Sequence, residues 1–201
     1  MWGAKENMSD FLKEYLRHPR TVGAVAPSGK GLAKKMTKPV DFARARVIVE
    51  YGPGTGAFTK RLFRLKKEET KLILIEQNDV FYEKMRSLCD GKKNTHVLHG
   101  SAEEADRLLA ELGIAHADVV LSGLPFASLP EKTSIRIFQA TKRLIGAEGI
   151  FVTFQYTMWK KRFFEKYFRI AKTLFEWRNL PPAFVLVMRT RLTAATERED
   201  G

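Results

Sequence analysis

The chain has 201 residues with 44% hydrophobic and 29% charged side chains, which suits one globular domain with a core of its own. A single cysteine, Cys89, excludes an internal disulfide and fits a reducing cytoplasm. No apolar run approaches the ~18 residues of a membrane span, and the charged start at Lys5, Glu6 and Asp10 leaves no apolar segment for a secretory signal. The net charge of +12 is localised: residues 1–46 carry ten Lys/Arg against four Asp/Glu, and residues 157–178 carry seven against two. Two basic segments beside a nearly neutral centre suggest a polyanionic partner, either nucleic acid or an anionic membrane.

In chain order, residues 9–18 are expected to form an amphipathic helix capped by Ser9 or Asp10, with Phe11, Leu12, Tyr15 and Leu16 on one face. Pro19 ends it. Thr21 to Ala26 reads as a linker, and Pro27-Ser28 opens a second helix running to about Met36. A β-branched strand at residues 47–49 is followed by a helix over 57–65, a strand over 71–76 and a helix over 79–88. A third strand is expected at 96–99, where His96 and His99 fall on opposite faces and make no metal site. A helix over 103–112, a strand over 118–121, a helix over 131–145 and a strand over 149–156 come next. The pattern closes with a basic helix over 158–169 and strands over 171–178 and 184–190. Alternation of this kind predicts an α/β, doubly wound parallel sheet. Residues 1–46 form its N-terminal helical extension, 47–190 its core and 191–201 a tail.

The densest chemistry lies in Val47-Ile-Val-Glu-Tyr-Gly-Pro-Gly-Thr-Gly56. Its glycines bend the backbone where a ligand must come close, and Glu50 sits at the strand end, where open α/β sheets bind ligands. A second carboxylate, Glu76, ends the next strand, placed to accept from both hydroxyls of a ribose. The pair resembles the S-adenosylmethionine site of class I methyltransferases. That resemblance implies that Glu50, Gly52, Gly54, Thr55 and Gly56 lie under the methionine half of the cofactor. It puts Gln77 and the Gly100-Ser101-Ala102 segment at the adenine. Ser122, Gly123 and Leu124 fall beside the transferred methyl group.

Further segments sharpen the resemblance: Phe11-Leu12-Lys13, Val22 to Ser28, Ser122-Gly123-Leu124-Pro125 with Ser128-Leu129-Pro130, and Arg178-Asn179-Leu180-Pro181-Pro182-Ala183. In this order they resemble bacterial phospholipid N-methyltransferases, over about residues 9–190. The resemblance implies a first helix that anchors to the membrane and lids the site, with Pro27 and Ser28 at the cofactor. Tyr15 and Tyr156 become the candidate catalytic side chains, although Phe154-Gln-Tyr-Thr-Met-Trp159 departs from the family's Gln-Phe-Thr-Tyr-like string. The implied substrate is a phosphatidylethanolamine-type lipid in an anionic membrane surface. The enzyme would be cytoplasmic and peripheral to the inner face of the cell membrane, with no protein partner. A basic amphipathic helix supports this independently, because it lies in the headgroup layer, and residues 159–169 add a second basic and aromatic cluster.

The alternative is an rRNA adenine N6-dimethyltransferase, for which nucleic acid is the partner. Enzymes of that kind orient the base amine with an Asn/Asp-x-Pro-Tyr/Phe loop, and here Gly123 stands at the Asn/Asp position. No helical RNA-binding domain is expected after the last strand. A non-catalytic module with the same fold is a third reading, which the intact glycine loop and Glu76 disfavour.

Overall fold

The computed structural model describes residues 29–191, so the expected first helix, Tyr15, Pro27 and Ser28 lie outside the described residues. A seven-stranded sheet runs in the order β3-β2-β1-β4-β5-β7-β6. Its strands are β1 (Val47–Tyr51), β2 (Lys71–Glu76), β3 (Thr95–His99), β4 (Val119–Ser122), β5 (Ile150–Gln155), β6 (Phe168–Glu176) and β7 (Ala183–Thr190). The central strands are nearly unbroken apolar runs, as a sheet covered on both faces demands; Leu72, Ile73 and Leu74 are wholly buried.

Among the described residues, six α-helices cover the two faces: α1 (Lys30–Thr37), α2 (Thr59–Leu65), α3 (Asp79–Cys89), α4 (Ala105–Ala110), α5 (Glu131–Ile145) and α6 (Lys161–Tyr167). Leu32 and Met36 of α1, Leu62 of α2 and Met85 of α3 pack on one face against Ile48, Leu72, Leu121 and Val152. Leu109 of α4, Ile137 and Phe138 of α5 and Phe164 of α6 pack on the other, against Val49, Ile73, Val120 and Phe151. The chain order reverses between β1 and β4, which both pair in parallel with their neighbours. Crevices at such reversals are where open α/β sheets bind ligands.

The structure corrects two expectations. The sheet is not wholly parallel, because β7 runs antiparallel to both β5 and β6. The last two strands form a hairpin turned through residues 177–182, and that turn reaches the same edge as the C-terminal ends of β1 to β5. The basic helix is also shorter than expected, and its aromatic side chains are mostly core. Phe164 and Phe168 are wholly buried, and Phe163 and Tyr167 pack on Phe138 with ring centroids at 5.4 Å. Phe168 already belongs to β6, where it pairs with Thr190.

Candidate active site

Three glycines, Gly52, Gly54 and Gly56, hold φ of +59°, +53° and +78°, so the turn after β1 bends through a region that L side chains rarely adopt. The requirement is strictest at Gly52, where a Cβ would also meet Leu124 Cδ2 at 2.7 Å. The turn feeds Thr59 at the start of α2, and Thr59 Oγ1 donates to Glu50 Oε2 at 2.8 Å. Glu50 is wholly buried on the α2 and α3 face, and its other oxygen, Oε1, has no hydrogen-bond partner. Burial without a cation pushes its carboxyl up to about 8, against the pull of the Thr59 bond.

Glu76 ends β2 on the other side of the turn. Its Oε2 accepts from the Gly54 amide at 3.1 Å and its Oε1 from the Asn78 amide at 3.0 Å. Burial holds this carboxyl above the usual range, partly offset by the amides of Asn78, Gly54 and Gln77. A carboxylate offers about four acceptor positions, so Glu76 keeps room to accept from a ligand.

A cleft of about 450 Å³ opens here at the strand ends, lined by Gly52, Glu76, Gln77, Gly100, Ser101, Ala102 and Leu124 of the residues expected to hold the cofactor. Its far wall, Pro125, Leu129, Thr133 and Ile137, comes from the loop after β4 and one face of α5. The sequence reading singled out Pro125 and Leu129 only as part of the family resemblance and passed over Thr133 and Ile137, although these two stand four apart on one helix face. Also missed was the β2 exit, Asn78 and Asp79, where His99 Nε2 lies 3.0 Å from Asp79 Oδ1 and 3.2 Å from the Gln77 carbonyl. The size suits a small-molecule site, and the mixture of an apolar wall with the carboxylates of Glu76 and Asp79 suits a nucleoside. The residues therefore fit the adenosyl part of S-adenosylmethionine.

Other expected residues lie outside the cleft lining. Glu50 sits below the turn, Gly54 braces Glu76, and Thr55 and Gly56 carry the turn into α2. Within the lining, Ser101 Oγ caps the 3-10 turn Ala102–Glu104 by accepting from the Glu103 amide. Ser122 is buried, with its Oγ accepting from the Leu124 amide at 3.2 Å. Gly123 donates its amide to the Tyr51 carbonyl at 2.8 Å, and a Cβ added there would lie 2.7 Å from the Gly52 carbonyl oxygen. No side chain fits between these two loops. Tyr156 follows β5 on the α1 and α2 face, half-buried, with its ring edge-on to Phe154 at 5.5 Å. Phe154 in turn meets Phe58, just past the glycine turn, at 6.0 Å.

No protein-family model matches the chain. Over 174 residues it is 30% identical to an ornithine lipid N-methyltransferase of Singulisphaera acidiphila, covering 86% of this chain and 91% of that one. The chain belongs to the lipid N-methyltransferase family. It is thus a methyltransferase of the class I, S-adenosylmethionine-dependent kind. Solved structures agree on the fold of this methyltransferase. TrmN of Thermus thermophilus superposes with a TM-score of 0.67 at 12% identity, over 90% of this chain and 53% of that longer one. The 1,6-didemethyltoxoflavin-N1-methyltransferase of Burkholderia thailandensis, solved with bound 1,6-didemethyltoxoflavin and S-adenosylhomocysteine, gives 0.66 at 12% identity, over 92% and 87%. A methyltransferase of Aquifex aeolicus gives 0.60 at 14% identity, over 93% and 100%.

Proposed function

We propose that this methyltransferase methylates the amine of a phosphatidylethanolamine-type phospholipid at an anionic membrane surface. Lipid is favoured by the relative that the chain matches along most of its length, which carries an ornithine lipid in its name. One geometric observation favours it over a nucleobase. The Gly123 position is closed by the Gly52 carbonyl, so the loop after β4 has no side chain with which to orient the NH₂ of an adenine.

Glu76 would accept from the ribose hydroxyls while the Gly54 and Asn78 amides hold it in place. Gly52, Gly100, Ser101, Ala102 and Leu124 would enclose the rest of the adenosyl group, and Pro27 and Ser28 would approach from outside the described residues. When bound, the cofactor supplies an electrophilic methyl group on a sulfonium. The residues of the chain then need to hold a neutral amine in line with it and exclude water, so alignment and desolvation dominate. The loop Ser122 to Phe126 borders that position. Tyr15 and Tyr156 are the side chains proposed to handle the amine proton; Tyr156 stands outside the cleft lining and would act from its β5 exit.

Among the described residues no helix is long and apolar enough to cross a membrane, and peripheral association at the cytoplasmic face is part of the proposal. The test uses purified protein, labelled S-adenosylmethionine and three acceptors: phosphatidylethanolamine vesicles, ornithine lipid vesicles and ribosomal RNA. Label in phosphatidylethanolamine is the expected result. Label in ornithine lipid alone would transfer the relative's specificity to this chain, and label in adenine alone would overturn the lipid reading.

A further inference from the structure

Large apolar side chains exposed among the described residues are concentrated at one edge. Trp159 is 94% exposed, Leu180 82%, Trp177 66% and Phe175 47%. Trp159 belongs to the loop leaving β5, and Phe175, Trp177 and Leu180 belong to the β6–β7 turn and its approach. Gln155 pairs with Phe184 and Glu176 with Ala183, so strand register sets these two loops side by side at the edge where the cleft opens. Solitary exposed leucines need no explanation, but a row of this kind marks an interaction surface.

The row has a basic fringe. Lys161, Arg162 and Arg178 are exposed beside it, and the Arg178 guanidinium lies 4.8 Å from the centre of the Trp177 ring. Asn179 and Glu176 keep the turn fixed. Asn179 Nδ2 donates to the Pro181 carbonyl at 2.7 Å, its Oδ1 accepts from the Gly29 amide at 3.3 Å, and Glu176 accepts from the Arg178 amide. A second tie joins the row to the cleft: Lys160 Nζ donates to the Phe126 carbonyl at 2.7 Å, one residue beyond Pro125 of the cleft wall.

We infer that Trp159, Trp177 and Leu180, with Phe175 behind them and Lys161, Arg162 and Arg178 around them, form a docking rim that inserts into the headgroup layer of an anionic bilayer. Tryptophan belongs at such interfaces, where an apolar body meets a polar, wet layer. Cations beside it are drawn to anionic lipid. A bilayer explains the whole set better than a nucleic acid does, since Leu180 and Phe175 offer aliphatic and edge surface that stacking on bases does not require. The inference deepens the lipid reading above and rests on it: docking by this rim brings headgroups to the lip formed by Leu124 and Pro125.

The experiment compares the full chain with the variant W159S/W177S/L180S and with R162Q/R178Q. Each is sedimented with vesicles of phosphatidylglycerol and phosphatidylcholine mixed equally and with phosphatidylcholine alone. The apolar variant is expected to lose at least about tenfold in partitioning to both vesicles, and the cationic variant only its preference for the anionic ones. Both should bind S-adenosylhomocysteine as the unmodified chain does and methylate detergent-dispersed lipid at the same rate, which shows that fold and cleft are intact. Unchanged partitioning of W159S/W177S/L180S would overturn the rim, even if the chain methylates lipid. Conversely, an unmodified chain that docks through the rim yet methylates no lipid would sink the substrate reading and leave the rim standing. Loss of ribosomal RNA retention in the variants, with vesicle binding kept, would make the row a nucleic-acid surface and overturn the inference.

Discussion

Glu76 and Glu50 are both acidic and both at strand ends, yet the fold gives them different work. Glu76 borders the cleft with one amide on each oxygen, so Glu76→Ala removes the acceptor proposed for the ribose and strands two amides. Affinity for S-adenosylhomocysteine should fall by at least about tenfold, since one hydrogen bond to a charged group is worth about 1.5–3 kcal/mol. Gly54→Val should do the same by another route. A Cβ there meets nothing closer than the Gly52 carbonyl at 4.0 Å, so the valine would project into open space above a backbone already at φ +53°. Unchanged calorimetric affinity in both variants would remove the turn from the site. Glu50 is the opposite case, a carboxyl with one orphaned oxygen and a pKa raised from 4.5 to about 8. Between those values the folded chain holds a proton that the unfolded chain has released. Stability of the ligand-free protein should therefore fall as pH rises through that window, by up to about 1.4 kcal/mol per pH unit. Glu50→Gln should flatten the slope, leaving a smaller one from Glu76, whose shift has the same sign. Parallel slopes for the two proteins in scanning calorimetry from pH 5 to 8 would refute the role given to Glu50.

The unit that makes the site is a pair of loops, the glycine turn after β1 and the Ser122 to Phe126 loop after β4, locked where Gly123 meets the Gly52 carbonyl. Gly123→Ala places a methyl 2.7 Å from that oxygen, and overpacking against backbone costs about 1–3 kcal/mol. The variant should melt several degrees lower and bind S-adenosylhomocysteine more weakly. Gly123→Asp should lose cofactor affinity and gain no activity on adenine, and a melting temperature equal to the unmodified protein's would show that the loops yield freely. Much of this pairing was legible in the residues, because glycines and apolar runs at strand ends have a direct geometric meaning: the strands before β6, the turn and Glu76 all stand where the pattern puts them. Direction was not legible for β7, since an apolar run such as Ala183–Val187 reads the same parallel or antiparallel. Nor was the fate of Phe163, Phe164 and Tyr167. Basic and aromatic residues interleaved on a helix look alike whether the aromatics face lipid or Phe138, and only the packing on α5 decides. The α5 wall of the cleft escaped notice for a related reason, since Thr133 and Ile137 carry no chemistry of their own until Gly52 and Leu124 stand opposite.

On the scale of the whole molecule, the arrangement of charge and the placement of the cleft point the same way. The basic excess flanks the cofactor core in sequence, in residues 1–46 and 157–178. The described parts of both segments return to the edge where the cleft opens, with Gly29 bonded to Asn179 and Lys160 to Phe126. A segment that leaves from Gly29 therefore starts beside the Trp177 turn. If residues 9–18 form the amphipathic helix expected from Phe11, Leu12, Tyr15 and Leu16, that helix and the turn can meet one membrane together, and their contributions should combine. Deleting residues 1–20 should leave the cofactor affinity in place while lowering vesicle binding and lipid methylation. The electrostatic share, from Lys13, Arg17 and Arg20, should weaken with salt because exposed charges are screened beyond ~8 Å at physiological ionic strength. Sedimentation with anionic and neutral vesicles at low and high salt separates the shares. The full chain should prefer anionic vesicles at low salt and lose that preference at high salt, while the deleted chain should retain only the binding that the Trp159 and Trp177 loops supply. Equal binding to both vesicle types at low salt, or deletion without loss, would mean that the first segment packs on the protein and that the membrane is met by the sheet edge alone.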